Sequence, residues 1–377
     1  MIIYRLPSTV LHLTSYSRRS MKPIRVGVIG LGMVAQIMHL PYLKEMEEFE
    51  IAGVCDASAL LAEKVGGFYG VDFRCTDYRK LLKSNRVDAV LVLTFYHSDI
   101  AAAAAAAGKH IFCEKPVAFS VREIDEIARA VDGAGVVFMI GYMKRFDEGY
   151  IAGQKLFKKM SADSDVRLIR VHDACFQNDL VIRSMYKLWK YDDVPPRVIR
   201  ETSAKMERRI TEAVGSAPKF VRQAYRLLLE TGSHDVNVLR GAFGEPRRVL
   251  STEILPRGNW FVSVLDYGDE VRCVLDIART ARNWGDEVIT AYGMSSTVSV
   301  EFPNPFHKNA PTVVETTDMD GDAVIRRRIE ASHSEAFRNE LHHFAECIRK
   351  GRQPLTSLQE GLQDTRLMVN IIKGFKK

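Results

Sequence analysis

No apolar run in this chain approaches the roughly 20 residues that a bilayer span requires. No membrane partner is therefore expected. The first twenty residues also lack the compact apolar core and small-residue cleavage site of a secretory signal. Cysteine is sparse and scattered, at positions 55, 75, 113, 175, 273 and 347, with no C-x-x-C pair. Neither a disulfide framework nor a zinc ribbon is implied, and a reducing cytoplasm is the expected compartment. Histidines never stand four apart, and the adjacent His342 and His343 point in different directions, so no metal site is expected. A basic stripe interleaved with stacking aromatics is missing as well. The formal charge is +6, yet residues 178–226 alone hold eleven Lys or Arg against six Asp or Glu, which leaves no nucleic-acid footprint elsewhere.

What is present is a chain of 377 residues with 46% hydrophobic content, enough for two domains. Residues 26–35 read Val-Gly-Val-Ile-Gly-Leu-Gly-Met-Val-Ala, a buried-strand pattern running into a G-x-G-x-x-A turn at Gly30, Gly32 and Ala35. Glycines there allow a tight turn and close approach of a pyrophosphate, and the following helix directs its free N–H groups at the same phosphates. Gly30, Gly32, Met33, Val34 and Ala35 are the expected phosphate contacts. A second apolar run, Glu50–Cys55, ends on Asp56, near the roughly 20-residue offset at which a carboxylate accepts from a ribose hydroxyl. The cofactor expected is NAD, with NADP less favoured because Asp56 repels a 2′-phosphate, although Ser58 leaves room for dual use.

The alternation of strand and helix continues to about Gly141 and implies a doubly wound parallel sheet, with the alanine run Ala101–Ala107 as a packed crossover helix. Beyond about residue 165, six longer strands between Val166 and Phe302 imply an open, largely antiparallel sheet. The fold class expected is an α/β Rossmann domain followed by an α+β domain. Residues 1–20 are expected to be an extension outside the fold, 21–143 the dinucleotide-binding domain, and 144–377 a substrate and oligomerisation domain. The latter carries a helical basic insertion at about 178–226 and closing helices near Glu335–Arg349 and Leu358–Gly374 that pack back on the first domain.

Two clusters can do chemistry. Glu114-Lys115-Pro116 follows the fifth strand, at the sheet edge where ligands of such folds bind, and a lysine before proline is held out of the helical region. Glu230 and His234 are spaced to share a helical face, so the carboxylate could orient an imidazole that accepts a proton. An ordinary surface lysine and a satisfied core histidine are the competing readings.

Several runs together resemble the Gfo/Idh/MocA oxidoreductase family over about Lys22–Lys377. They are Val26–Ala35, Thr94–His97, Ala107–Pro116 with its Glu-Lys-Pro, Gly141–Phe146, Gly232–Asp235 and Phe337–Phe344. The resemblance implies a Rossmann domain plus an open-sheet domain, NAD(P) use, and hydride exchange at a hydroxyl-bearing carbon of a sugar or cyclitol. It implies Lys115 and His234 as the acid/base pair, Thr94, His97, Glu114 and Pro116 at the cofactor, and Arg145 near the substrate. A homodimer or homotetramer is the expected assembly. Two departures stand out: Glu230 and Asn237 occupy places that are commonly aspartate or another acid, and the basic insertion precedes the histidine. One reading of the insertion is a solvated helix or an oligomer contact. Another is that Arg183, Lys187, Arg197 or Arg200 reaches the site and binds an anionic sugar. Two functional alternatives stay open, an NAD-dependent glycosidase working through transient C3 oxidation and a non-catalytic nucleotide-sensing regulator.

Overall fold

Two sheets organise the structure, a computed structural model that describes residues 22–175, 178–268 and 270–376. The extension expected at residues 1–20 lies outside the described residues. The first sheet comprises β1 (Ile24–Ile29), β2 (Phe49–Cys55), β3 (Arg74–Cys75), β4 (Ala89–Val92), β5 (His110–Glu114) and β6 (Phe138–Gly141). All pairs are parallel in the order β3-β2-β1-β4-β5-β6. The order reverses between β1 and β4, which opens a crevice beyond their carboxyl ends. Strands buried on both faces explain the near-continuous apolar runs: Ala89 to Val92 is fully buried. The crossover helix Ser98–Ala106 presses Ala101, Ala104 and Ala105 onto this core, where larger side chains would hold the helix away.

The second sheet is built from β7 (Val166–Cys175), β8 (Arg248–Ile254), β9 (Trp260–Asp266), β10 (Arg272–Arg279), β11 (Asp286–Gly293), β12 (Thr297–Glu301), β13 (Val313–Asp320) and β14 (Ala323–Glu330). Their order is β14-β13-β12-β11-β7-β10-β9-β8, and every pair is antiparallel except β7 with β10. The sequence reading stops at the sixth strand and misses β13 and β14. Their alternation is hidden because the ribbon runs to the sheet edge: apart from Val313 and Val314 its residues are part or fully exposed, and Arg326, Arg327 and Arg328 stand in a row.

The helix that follows the glycine turn divides into a π-turn, Ala35–His39, and a short α-helix, Leu40–Glu45. Side-chain caps start several others. Ser58 Oγ accepts from Leu61 N at 3.0 Å, and Asp147 Oδ1 accepts from Tyr150 N at 2.9 Å. The insertion is helical, as Asn178–Met185, Pro196–Val214 and Lys219–Leu227. Helix Leu358–Lys373 touches β6, β8 and the helices Val121–Val131 and Ser233–Phe243, so it lies between the two sheets.

Candidate functional site

The glycine turn is shaped for a dinucleotide. Gly30 has φ +93°, and a Cβ placed there would stand 2.7 Å from Thr94 N and 2.8 Å from the Leu93 carbonyl carbon. Only glycine fits. A Cβ on Gly32, by contrast, would meet nothing within 4 Å, so the backbone there faces open space that phosphates can enter. Asp56 closes the turn by accepting from Leu31 N at 2.8 Å and Ser58 N at 2.9 Å. These two N–H groups fix the carboxylate at the end of β2, where a ribose hydroxyl is met. The residues present therefore fit the adenosine and pyrophosphate of a nicotinamide dinucleotide.

Thr94 and His97 follow β4. Thr94 Oγ1 donates to the Tyr96 carbonyl at 2.8 Å, and His97 Nδ1 lies 3.0 Å from the Pro116 carbonyl oxygen, tying the β4 loop to the cis Lys115-Pro116 bond. Burial lowers the His97 pKa to about 4. The folded protein thus keeps a neutral imidazole where the unfolded chain, with a pKa near 6.5, binds a proton. Stability from this group is complete above pH 6.5 and is lost as pH falls toward 4. Replacing His97 with Gln should therefore cost about 2 kcal/mol less at pH 5 than at pH 7.5, measured by urea unfolding, because only the wild type carries the titration. An equal cost at both pH values would contradict a neutral buried His97.

Beside the turn lies a cavity of about 890 Å³, bounded by both sheets. Met33 and Val34 of the first helix, Lys115 after β5, Lys144, Asp173 on β7 and His234 all line it. Lys115 Nζ donates to the Glu230 carbonyl oxygen, and burial lowers its pKa from the usual lysine range. The His234 pKa is driven well below its usual value, first by burial and then by the charges of Lys115 and Lys144. Its Nδ1 has no hydrogen-bond partner among the described residues. His234, with its imidazole held neutral, and Lys115 therefore line one cavity.

Three expected placements change. Glu230 does not orient His234: its carboxylate binds Arg279 at 2.8 Å, because β10 brings that guanidinium to the π-turn Leu228–Gly232. Arg145 turns away from the cavity into the interface with the last helix, where Nη1 lies 3.4 Å from Asn237 Oδ1 and from Glu360 Oε2. Its neighbour Lys144, in the one-turn 3₁₀ segment Met143–Phe146, faces the cavity instead. Finally, Arg183, Lys187, Arg197 and Arg200 are exposed and none lines the cavity. Arg197 pairs with Glu201 at 2.6 Å, since helix Pro196–Val214 turns its apolar side, Met206, Ile210 and Ala213, onto the protein.

Lys144 and Asp173 escape the sequence reading. The Lys144 ammonium forms an ion pair with Glu287 and lies 4.8 Å above the Phe302 ring. Asp173 continues the buried alternation Ile169, Val171, Asp173 of β7, and a charged residue in a core-facing register was the available signal. Burial and the neighbouring Asp235 carboxylate raise its pKa well above the usual value. Among the described residues, two triplets have ligand-type atoms within 4.8 Å of one another: His39, Glu114 and Glu340, and Asp173, Asp235 and Glu287. In the first, His39 Nε2 and Glu114 Oε1 bond at 2.7 Å, and in the second Lys144 supplies the positive charge.

Residues 24–142 match the model of an oxidoreductase family described as having an NAD-binding Rossmann fold. Myo-inositol 2-dehydrogenase of Thermotoga maritima is 25% identical over 353 residues, covering 90% of this chain and 92% of that protein. Inositol 2-dehydrogenase of Rhizobium meliloti is 24% identical over 356 residues, covering 90% and 93%. Among solved structures, the 3-ketoreductase KijD10 of Actinomadura kijaniata, in complex with TDP-benzene and NADP, superposes with TM-score 0.70 at 17% identity, covering 94% of this chain and 98% of that one. The aldose-aldose oxidoreductase of Caulobacter crescentus gives TM-score 0.70 at 21% identity, covering 93% and 97%. No helix among the described residues is long and apolar enough to cross a membrane. The glycine turn, the family match and the relatives aligned along both sheets lead to one conclusion: this chain is an NAD(P)-dependent oxidoreductase whose residues 24–142 carry the NAD-binding Rossmann fold of the Gfo/Idh/MocA family.

Proposed function

We propose that this protein oxidises a secondary hydroxyl of a neutral sugar or cyclitol, and reduces the corresponding ketone, with Lys115 and His234 managing the hydroxyl proton. The observation that carries this reading is that Lys115 and His234 both line one cavity beside Met33 and Val34 of the glycine helix. The bound dinucleotide supplies the hydride acceptor. His234, kept neutral by burial and two neighbouring lysines, is suited to take the hydroxyl proton. Lys115, fixed by the Glu230 carbonyl, is suited to donate a hydrogen bond to the same oxygen as negative charge develops on it. Glu230 acts at one remove, positioning Lys115 through its carbonyl and holding Arg279 through its carboxylate.

Neutral substrates are favoured over anionic ones by the wall itself. Lys115, Lys144 and Arg279 are outnumbered there by Glu114, Glu230, Asp286, Glu287 and Glu301. Such carboxylates accept from hydroxyl groups and repel an anionic substituent. The exposed indole of Trp284 adds an apolar face at the rim, of the kind that packs against ring C–H groups. Residues 21–143 form the dinucleotide unit in this reading, and 144–377 form the substrate and oligomerisation unit of a cytoplasmic homo-oligomer.

Purified protein should reduce NAD with one or more neutral cyclitols or aldoses, and phosphorylated or carboxylated analogues should be poorer substrates. NADH formation with the anionic series alone would overturn the neutral assignment. Release of free sugar from a glycoside with catalytic NAD and no net NADH would replace the dehydrogenase reading by the glycosidase one.

A further inference from the structure

Tyr186–Pro195, the stretch between the first two helices of the basic insertion, crosses to the nucleotide domain and is latched there at three places. Gln36, one turn into the helix that follows the glycine turn, makes a two-point contact with the backbone of Trp189: Nε2 donates to the carbonyl oxygen at 3.0 Å, and Oε1 accepts from N at 3.0 Å. The Trp189 ring lies 5.0 Å from the Phe68 ring, with the Lys64 ammonium 5.6 Å from its centre. The third latch is Asp193. Its Oδ2 accepts from Leu60 N at 3.0 Å, and its Oδ1 accepts from the buried Ser58 hydroxyl. Lys205, farther along the insertion, pairs with Asp99 in the first turn of helix Ser98–Ala106, so the insertion bridges the segments that follow β2 and β4.

The segment after β2 flanks the adenosine end of a dinucleotide, and Ser58 stands two residues after Asp56. In a protein of this fold, an NADP 2′-phosphate leaves the ribose at the β2 carboxylate and is met by a cation or by free donors at the start of the next helix. Here those donors, the Ser58 hydroxyl and the Leu60 N–H, are already bound to a carboxylate that comes from the other domain. We infer that Asp193 is a determinant of cofactor choice, supplied by the insertion of the same chain, which occupies the 2′-phosphate position with a fixed negative charge and so restricts the enzyme to NAD. The inference rests on dinucleotide binding at the glycine turn, and goes beyond Asp56, because Asp193 blocks the phosphate's donors as well as repelling it.

The test is binding rather than turnover. NADH and NADPH are titrated against wild type, Asp193→Asn and, as a control on a neighbouring exposed carboxylate, Asp192→Asn, following the fluorescence of the reduced nicotinamide at fixed salt. Asn keeps the shape and can still accept from Leu60 N, so the strap stays seated while the charge is gone. The ratio of NADPH to NADH dissociation constants should fall by about tenfold in Asp193→Asn, with NADH affinity little changed, and stay at the wild-type value in Asp192→Asn. A ratio that moves by less than about threefold, or equal weakening of both dinucleotides, would make Asp193 a strap anchor only and overturn the inference. So would a wild type that binds NADPH as tightly as NADH. Failure of the sugar or cyclitol assignment would leave these titrations unaffected, because no substrate takes part in them.

Discussion

Lys115→Met should lower turnover by roughly 10²- to 10⁴-fold while leaving the NADH dissociation constant little changed. Methionine keeps the length and apolar stem of lysine but cannot donate to the reacting oxygen, so what is lost is transition-state stabilisation and proton handling, and the effect falls on kcat more than on KM. Lys115→Arg supplies the second half of the test. Burial lowers the Lys115 pKa, so the wild-type rate should decline on the alkaline side below the ordinary lysine range, as the ammonium loses its proton. Guanidinium does not titrate there, and the alkaline limb should disappear from whatever residual rate the Arg variant retains. On the acid side the limb belongs to His234, whose pKa is driven well below the usual imidazole value, so activity should persist to lower pH than an ordinary histidine base permits. Full turnover in Lys115→Met, measured at saturating substrate, would remove Lys115 from the chemistry.

The sequence was most legible where the backbone decides the function. Gly30, Gly32 and Asp56 could be read because a tight turn, a close approach and an acid at a strand end each demand one residue type at one spacing. Glu114-Lys115-Pro116 could be placed because parallel strands in a doubly wound sheet all deliver their carboxyl ends to one edge. Side-chain direction within the second unit was far less legible. Nothing in the run Met-Lys-Arg-Phe says that a single 3₁₀ turn points Lys144 into the cavity and Arg145 toward Asn237 and Glu360. Spacing likewise paired Glu230 with His234, whereas Arg279, far away in sequence, competes for that carboxylate and wins because a full guanidinium charge outbids a neutral imidazole. The basic insertion shows the same limit. Its composition allowed a solvated face or a reach toward the substrate, but Arg197, Arg222 and Arg226 meet carboxylates of the insertion itself, Arg209 meets Glu212 and, across in the first domain, Glu126, and the residue that reaches a ligand position is the acidic Asp193. Composition reports which charges a segment carries; only the fold says which of them leave it.

Gly30→Ala and Gly32→Ala should separate the two functions of the glycine turn. At Gly30 an added methyl meets Thr94 N at 2.7 Å at a φ of +93°, so the turn or the end of β4 must shift. The left-handed conformation alone costs about 1–3 kcal/mol for a residue bearing a Cβ. Urea unfolding should register that loss in the absence of any nucleotide, and NADH affinity should fall on the order of a hundredfold as the phosphate-facing backbone moves. At Gly32 the methyl enters open space, so unfolding should be unchanged, and alanine even favours the helix that starts there. Yet that space is where the pyrophosphate must come close, so Gly32→Ala should weaken NADH binding with no stability penalty. A Gly32→Ala protein that binds NADH like wild type would mean the phosphates do not approach the backbone at this turn, and the crevice between β1 and β4 would then need another occupant.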